Sequence, residues 1–485
     1  MRASNTKAVL ARLRELRTAD APTHGGRVLS YVYDSGVAEL DELAAAAMRE
    51  VQSVNGLDPT VFPSVATIER ELVDFGRSIF HGGEDVVGNV TTGGTESCIL
   101  AVLGARDAAG KHGGSIVHPT TAHAAFRKAA HLLGVESIVV PVDPVSGVPD
   151  PGRIADAIRD DTILVVASAP SYPFATMDPV ADIAAIAAAR GVAVHVDACI
   201  GGLALPWWGD VPAWDFGVPG VTSISADLHK YGYSPKGASL LLVRGRDRHR
   251  HQYFGLTDWP GYPVVNPTLL GSRSVGAMTA AWAIVTALGV DGFAELTDRM
   301  HDSTTALVAA IRAIDGLRVV GDPVGPLFAV AKDSADGPRA AVDPHVWLGA
   351  VGKRGFSLQA QPSLTQSDGT VLPRTTHLTV TPATVSVQGE LVAALVGAAD
   401  DVRGQAAAEP PPALAELARL FRDGVLTSEQ ASALSSDEVY GALQAAGVTG
   451  SGDLDMASVL AGVEQLPRDV SAAMLIEFLA RVIEK

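Results

Sequence analysis

From about Gly94 to Arg244 short β-branched runs alternate with Ala-rich stretches, and this alternation constrains the fold more than any other feature of the chain. Strands are expected at Ser115–His118, Ser137–Val142, Thr162–Ser168, Val192–Asp197, Val221–Ser225 and Ser239–Arg244. Helices are expected at Ala122–Leu133, Gly152–Arg159 and Pro179–Arg190. Strand–helix alternation calls for a largely parallel sheet covered by helices, with function at the carboxyl ends of its strands. The last strands lack intervening helices, so an antiparallel member is expected. Helical patterns at Ser274–Leu288 and Phe293–Ile314 lead into a smaller α+β segment ending near Arg403. The stretch Gly404–Pro412 reads as a linker, and Ala413–Lys485 is helical in pattern. The expected partition is an N-terminal arm (1–55), a large domain (56–300), a small α+β domain (301–403), a linker (404–412) and a helical appendix (413–485).

The 485 residues are 47% apolar, which suits a large buried core. Lys and Arg number 37 against 54 Asp and Glu, a formal charge of −17. That balance argues against nucleic acid and anionic membranes as partners, since both need a basic footprint. The first twenty residues carry charges throughout, no signal peptide is evident, and every long apolar run is interrupted, so no membrane span is expected. Cys98 and Cys199 are the two cysteines and read as reduced, buried thiols of a cytoplasmic protein. No Cys/His spacing suggests a metal. The basic run Arg244–His251 reads as a solvated loop, with at most a role in steering an anionic substrate.

Three segments carry chemistry together. GNVTTGGTES (Gly88–Ser97) is a Gly/Thr-rich turn before an apolar helical run; its amides and the helix N-terminus suit a phosphate, although such turns are common. VHVDACIGG (Val194–Gly202) delivers Asp197 at a strand end, where a carboxylate needs a cationic or hydrogen-bonding partner. VTSISADLHKYGYSPKGASLLLV (Val221–Val243) places Lys230 between apolar strands, beside His229. A lysine so placed can serve as an amine nucleophile. Turn, strand-end Asp and lysine, in that order, are what a pyridoxal-phosphate enzyme requires.

With GGTES, HVDACIGG and SADLHKYGYSPKG, the chain resembles the group II pyridoxal-phosphate-dependent decarboxylase superfamily, most closely its sphingosine-1-phosphate lyase branch. The likeness continues through RVLSYVY, NGLDPTVFPS, TAHAAFRKAA, SAPSYPFATMDPV and DWPGYPVVNPTLLGSR. It implies an α/β, fold type I (aspartate-aminotransferase-like) architecture and pyridoxal 5'-phosphate as cofactor. It further implies Lys230 as the Schiff-base lysine and Asp197 as partner of the pyridine nitrogen. His123 would stack on one face of the ring and Cys199 lie against the other. Gly94, Thr95 and His229 would hold the cofactor phosphate. Ser272 and Arg273 would reach the phosphate of a neighbouring subunit, implying a homodimer with shared sites. Tyr33, Tyr172 and Lys236 would line the substrate side.

The chain also departs from that pattern. Asp58 stands where the lyase branch has a histidine that helps bind the substrate's phosphate, and a carboxylate there repels a phosphate unless it is protonated or turned away. Ala175, Leu228 and Tyr262 also differ, so an altered pocket shape is expected. The resulting expectation is a carbon–carbon lyase, releasing carbon dioxide or an aldehyde from a small soluble amine substrate, with Tyr172 or Tyr33 as base in the latter case. Two other readings stay open: an aminotransferase, and a non-catalytic scaffold that recruits partners through its C-terminal helices.

Overall fold

The computed structural model describes residues 3–110, 113–333, 341–448 and 456–484. Helices α1 (Ala3–Leu16), α2 (Ala38–Glu50) and α3 (Pro63–Ile79) come first. Proline in the first turn of α3 starts that helix where no amide donor is needed, and Val65, Leu72, Val73 and Gly76 form its buried face. Seven strands follow: β1 (Val86–Thr91), β2 (Ser115–Pro119), β3 (Glu136–Val140), β4 (Thr162–Ser168), β5 (Ala193–Asp197), β6 (Val221–Ala226) and β7 (Ser239–Arg244). Between them run α4 (Gly94–Ala108), α5 (Ala125–Leu133), α6 (Pro151–Ala157) and α7 (Val180–Ala188); α8 (Arg246–Arg250) and α9 (Gly276–Arg312) come after.

The strand order is β1-β7-β6-β5-β4-β2-β3, and β7 runs antiparallel to both its neighbours. It is the antiparallel member expected from the missing helices. The six expected strands are present, β4 and β7 with the expected bounds. Strand β1 was not expected, because Gly88 and Asn89 interrupt its β-branched pattern. Gly88 is there for closeness: a Cβ at this position would sit 2.3 Å from the carbonyl oxygen of Leu241 on β7. The two helical patterns after Ser274 are both present, as two stretches of α9 parted by a kink at Gly289, whose backbone is not helical (φ 55°, ψ −171°).

The sheet core (Val165, Val194, Val196, Ile224, Leu240) and the small-domain core (Phe328, Trp347, Leu378, Leu391) part along α9 between Met300 and Leu307. The N-terminal segment belongs to both bodies: α2 packs Leu40 and Ala44 on α9, whereas Leu29 enters the small-domain core. The C-terminal helices have a core of their own around Leu414, Leu443, Val470 and Met474. They dock on the small domain through Glu464, which accepts from the Ser363 amide (2.8 Å) and pairs with Arg374. Among the described residues two helices are long and apolar enough to cross a membrane, Gly276–Arg312 and Pro382–Val402. Both bury their apolar faces in these cores.

One side chain ties the sheet to the small domain. The fully buried Tyr231 donates to the carbonyl oxygens of Pro326 (3.0 Å) and Val380 (2.9 Å). Tyr231→Phe leaves both acceptors without this donor in a dry interface, a loss of about 1–3 kcal/mol. Urea unfolding of the variant should show that loss, and an unchanged midpoint would rule out the tie.

Candidate active site

The carboxyl ends of β5 and β6 meet the N-terminus of α4 at a cavity of about 370 Å³. It brings together Gly94, Thr95, His123, Cys199, His229 and Lys230. Helix α4 begins at Gly94, so its first amides have no intrahelical acceptor and face the cavity mouth. The turn before it is held rigidly. Thr91 Oγ1 and Ser97 Oγ are 2.7 Å apart, Ser97 and Ser239 hydroxyls 3.0 Å, and Glu96 accepts from the amide and hydroxyl of Thr92 at 2.7 Å each.

Asp197 ends β5 just below. Its Oδ1 accepts from the Cys199 amide at 3.0 Å and lies 3.4 Å from the Ser225 hydroxyl. Cys199 Sγ lies 3.2 Å from the same hydroxyl, and a hydrogen bond with Cys98 together with burial pushes this thiol up, so it stays protonated. Cys98 Sγ, Cys199 Sγ and an Asp197 oxygen all lie within 4.8 Å of one another, a cluster the sequence spacing does not reveal.

Lys230 Nζ is 3.0 Å from Oδ2 of Asp227, a carboxylate with 2% of its side chain exposed. Burial opposes both charges, but their attraction prevails: Asp227 is held below the usual carboxylate range and Lys230 above the usual lysine value. The sequence reading missed Asp227. The available signal was an acid three residues before the lysine, in a turn between two strands buried along their length. His229 Nδ1 accepts from the amides of Gly237 (3.4 Å) and Ala238 (3.2 Å), and burial lowers its pKa. The ring is therefore neutral with its proton on Nε2, 3.5 Å from Asp227. His123, at the open edge, accepts from the Ala125 amide through Nδ1 (3.2 Å).

A second cavity, of about 300 Å³, shares His229 with the first and is lined by Tyr31, Tyr33 and Lys236. Lys236 Nζ donates to the His229 carbonyl (2.9 Å) and lies 4.3 Å above the Tyr33 ring. Burial and the nearby Lys230 lower its pKa to about 8. Tyr172 is stacked on His377 with ring centroids 4.6 Å apart, and its hydroxyl donates to Gln359 Oε1 at 2.6 Å. Burial raises the pKa of both Tyr33 and Tyr172, so each keeps its proton at neutral pH and offers a donor rather than a base.

Five expected site residues line neither cavity of the protomer: Asp197 and Tyr172, placed above, and Asp58, Ser272 and Arg273. Asp58 Oδ1 accepts from the amide (2.9 Å) and hydroxyl (2.6 Å) of Thr60, so this exposed carboxylate is turned onto its own loop. Ser272 accepts from the Asn55 side chain (3.2 Å). Arg273 is engaged within its own chain, by Glu69 (2.9 Å) and the carbonyls of Val90 (2.9 Å) and Gly56 (3.3 Å). Ala175, Leu228 and Tyr262 do not line the cavities either, so the pocket change expected from them is not seen within the protomer. Ala175 is a turn residue with φ 59°, Leu228 is core, and Tyr262 is exposed.

A phosphorylated pyridine aldehyde fits these residues. Asp227 Oδ1 is buried with no hydrogen-bond partner, and a Cβ at Gly94 would stand 2.7 Å from Cys199 Sγ and 2.8 Å from Asp227 Oδ1. Gly94 thus keeps open the floor between the amide cup and the lysine. Gly94→Ala should fold at a cost of about 1–3 kcal/mol and lose cofactor, by about tenfold for each 1.4 kcal/mol of displaced contact. Equilibrium dialysis against the cofactor measures this, and undiminished affinity would remove Gly94 from the site.

The sequence model of the pyridoxal-dependent decarboxylase conserved domain matches residues 31–329. The chain is 39% identical to sphingosine-1-phosphate lyase of Dictyostelium discoideum over 286 residues, 58% of this chain and 54% of that protein. It is 36% identical to a probable L-tyrosine/L-aspartate decarboxylase of Methanothrix thermoacetophila over 337 residues, 69% of this chain and 85% of that protein. The chain thus spans little more than half of the Dictyostelium lyase and most of the archaeal protein. Among solved structures, sphingosine-1-phosphate lyase of Burkholderia pseudomallei superposes with a TM-score of 0.75 at 34% identity, covering 87% of this chain and 94% of that one. With more than half of its length matched and the cavity built as described, the chain belongs to the pyridoxal-dependent decarboxylase family, whose cofactor is pyridoxal 5'-phosphate.

Proposed function

We propose that the chain is a carbon–carbon lyase that removes carbon dioxide or an aldehyde from a small, soluble amino acid or amino alcohol, as a cytoplasmic homodimer with shared sites. The observation that carries this reading is Lys230, 3.0 Å from a buried carboxylate and facing the amide end of α4. When bound, pyridoxal phosphate supplies an electron sink for the pair left on the substrate's Cα as a bond to it breaks.

The chain's own residues do the rest. The amides at the start of α4, Thr95 and the Nε2 proton of His229 hold the phosphate. Asp197, fixed by Cys199 and Ser225, keeps a proton on the pyridine nitrogen. Lys230, with Asp227 as its counter-ion, would deliver a proton to Cα once the carbon–carbon bond has broken. Protonated Tyr33 orients substrate, and Lys236 attracts an anionic substrate group. Similarity to both lyases and an amino-acid decarboxylase supports both departing groups, and the lysine cavity itself does not select between them.

A second copy of the chain is the partner that suits the surface beside the site. The segment around the short strands Phe254–Leu256 and Val264–Asn266 exposes Phe254, Trp259, Tyr262, Val265, Leu269 and Leu270. An apolar patch of this kind calls for a partner. The amide of Leu269 donates to Glu96 of the cofactor turn (2.9 Å), so a copy seated there would stand next to the cavity. The free, buried thiols support a reducing, cytoplasmic setting. Nucleic acid and membranes remain outside the proposed partners on charge.

Incubation of the cofactor-loaded protein with a panel of amino acids and amino alcohols should release carbon dioxide or aldehyde, and Lys230→Ala should lower turnover by more than about 10³-fold. Accumulation of pyridoxamine phosphate with a keto acid would make the chain an aminotransferase instead. A pH series tests the substrate side separately. Lys236 loses its proton as pH rises through about 8, so inhibition by an anionic substrate analogue should weaken above that pH. Lys236→Met should abolish this limb and weaken inhibition about tenfold at pH 7, about 1.4 kcal/mol; a limb that persists in the variant places the anion elsewhere.

A further inference from the structure

At the opposite end of the sheet lies a cavity of about 760 Å³, twice the volume of the cofactor cavity. Thr162 of β4, Ala193 of β5 and the C-terminal end of α4 bound it. Helix α4 spans Gly94–Ala108, so the two cavities are about 20 Å apart along its axis. Arg159, Arg190, Arg248 and His251 line this second place. Arg248 and His251 come from the basic run expected to be a solvated loop; instead the run forms α8 and turns one guanidinium and one imidazole onto a cavity.

The charges there are unevenly matched. Arg159 is committed to Glu136 (2.5 Å) and Asp161 (3.1 Å), and Asp160 is the one carboxylate on the lining. Neither Arg190 nor Arg248 has an ion-pair partner among the described residues; the Arg190 side chain donates to the Ala155 carbonyl at 2.7 Å. Arg248 is half-buried, and burial disfavours its charge. A guanidinium that gives up water without gaining a carboxylate is costly, and in a chain of net charge −17 acids are not scarce. An oxyanion accepting from the planar guanidinium fork offsets that cost, and phosphate geometry suits it.

The rest of the lining narrows the ligand. Helices α4 and α7 both end beside the cavity, and their carbonyl ends oppose an anion by about half a charge each. That opposition grows with the ligand's charge, so the two guanidinium groups have to outweigh it. Ile158, Ile163 and Val192 form an apolar floor, and His251 is the one ring on the lining, so an aliphatic body suits it better than a stacked base. The volume falls within the range of small-molecule sites.

We propose that this cavity binds a small aliphatic phosphate ester, its phosphate held by Arg190 and Arg248 and its carbon body on the apolar floor. The site is separate from the one that holds the cofactor phosphate.

The test is calorimetric titration of the cofactor-saturated full chain, so that the cofactor site is filled, with glycerophosphate, pyrophosphate and citrate at about 0.15 M salt. Glycerophosphate should bind one per chain with a dissociation constant below about 1 mM, more tightly than citrate, and leave the visible cofactor absorbance unchanged. Arg248→Ala and Arg190→Ala should each weaken it at least tenfold, and Arg248→Lys by less. Glycerophosphate should also protect Arg190 and Arg248 of the unmutated protein from phenylglyoxal, read by peptide mass, which keeps the test valid if a variant misfolds. No binding, binding indifferent to both variants, no protection, or citrate bound as tightly as the ester would each overturn the proposal.

Discussion

The ion pair between Asp227 and Lys230 is the constraint around which the catalytic half of the molecule is arranged. Both groups sit where burial disfavours charge, and each is tolerable only because the other is 3.0 Å away. The neighbourhood keeps that distance. The Asp227 amide donates to the Cys199 carbonyl at 3.1 Å, linking the lysine turn to the Asp197 turn, and the Lys230 amide donates back to the Asp227 carbonyl at 3.2 Å. Behind the lysine, Tyr231 anchors the turn to the small domain. One of the contacts between the two domains is therefore made by the residue next to Lys230.

Topology explains why the pair lies where it does. Strands β4, β5 and β6 are parallel and deliver Ser168, Asp197 and Ala226 to one edge. A further parallel strand would require a crossover helix and would carry the chain away from that edge. By pairing antiparallel with β6, β7 lets the chain turn back at the edge, and residues 227–238 form the turn that holds Lys230 beside Asp197. Along its other edge β7 pairs with β1, whose Gly88 permits the close approach, and β1 leads into the turn of the α4 N-terminus. One antiparallel strand thus brings together the phosphate cup, the strand-end acid and the lysine.

Much of this was legible because strand period, glycine turns and an isolated lysine between apolar strands are local signals. What was not legible depended on who satisfies whom. Asp227 and Asp58 are both acids in turns; one is buried against Lys230 and the His229 ring, the other exposed and bonded to Thr60, and no local pattern separates them. Arg273 and Arg248 reverse the expected roles in the same way. Arg273, read as a phosphate ligand, is engaged by Glu69 and two carbonyls, whereas Arg248, read as solvated, is half-buried without an acid among the described residues. Ala175 marks a third limit: its φ of 59° places it in a region that favours glycine, so its departure from the family pattern bears on the backbone of a turn and not on a pocket wall.

The way the cofactor site treats charge follows from the acidity of the chain. Within the protomer the anion cup consists of neutral donors: amides of α4, the Thr95 hydroxyl and a histidine whose pKa is lowered by burial. Because His229 accepts two backbone amides through Nδ1, its Nε2 proton is fixed by structure and not by pH. A cup of neutral donors loses little affinity to salt, whereas exposed cations would be screened. It also leaves the local cations free for reaction: Lys230 faces Asp227 until a substrate or cofactor group replaces that contact, and Lys236 keeps a pKa of about 8, near its working range. In the proposed reaction phosphate retention and proton transfer would thereby fall to different chemical groups, so the lysines could change protonation without loosening the anion.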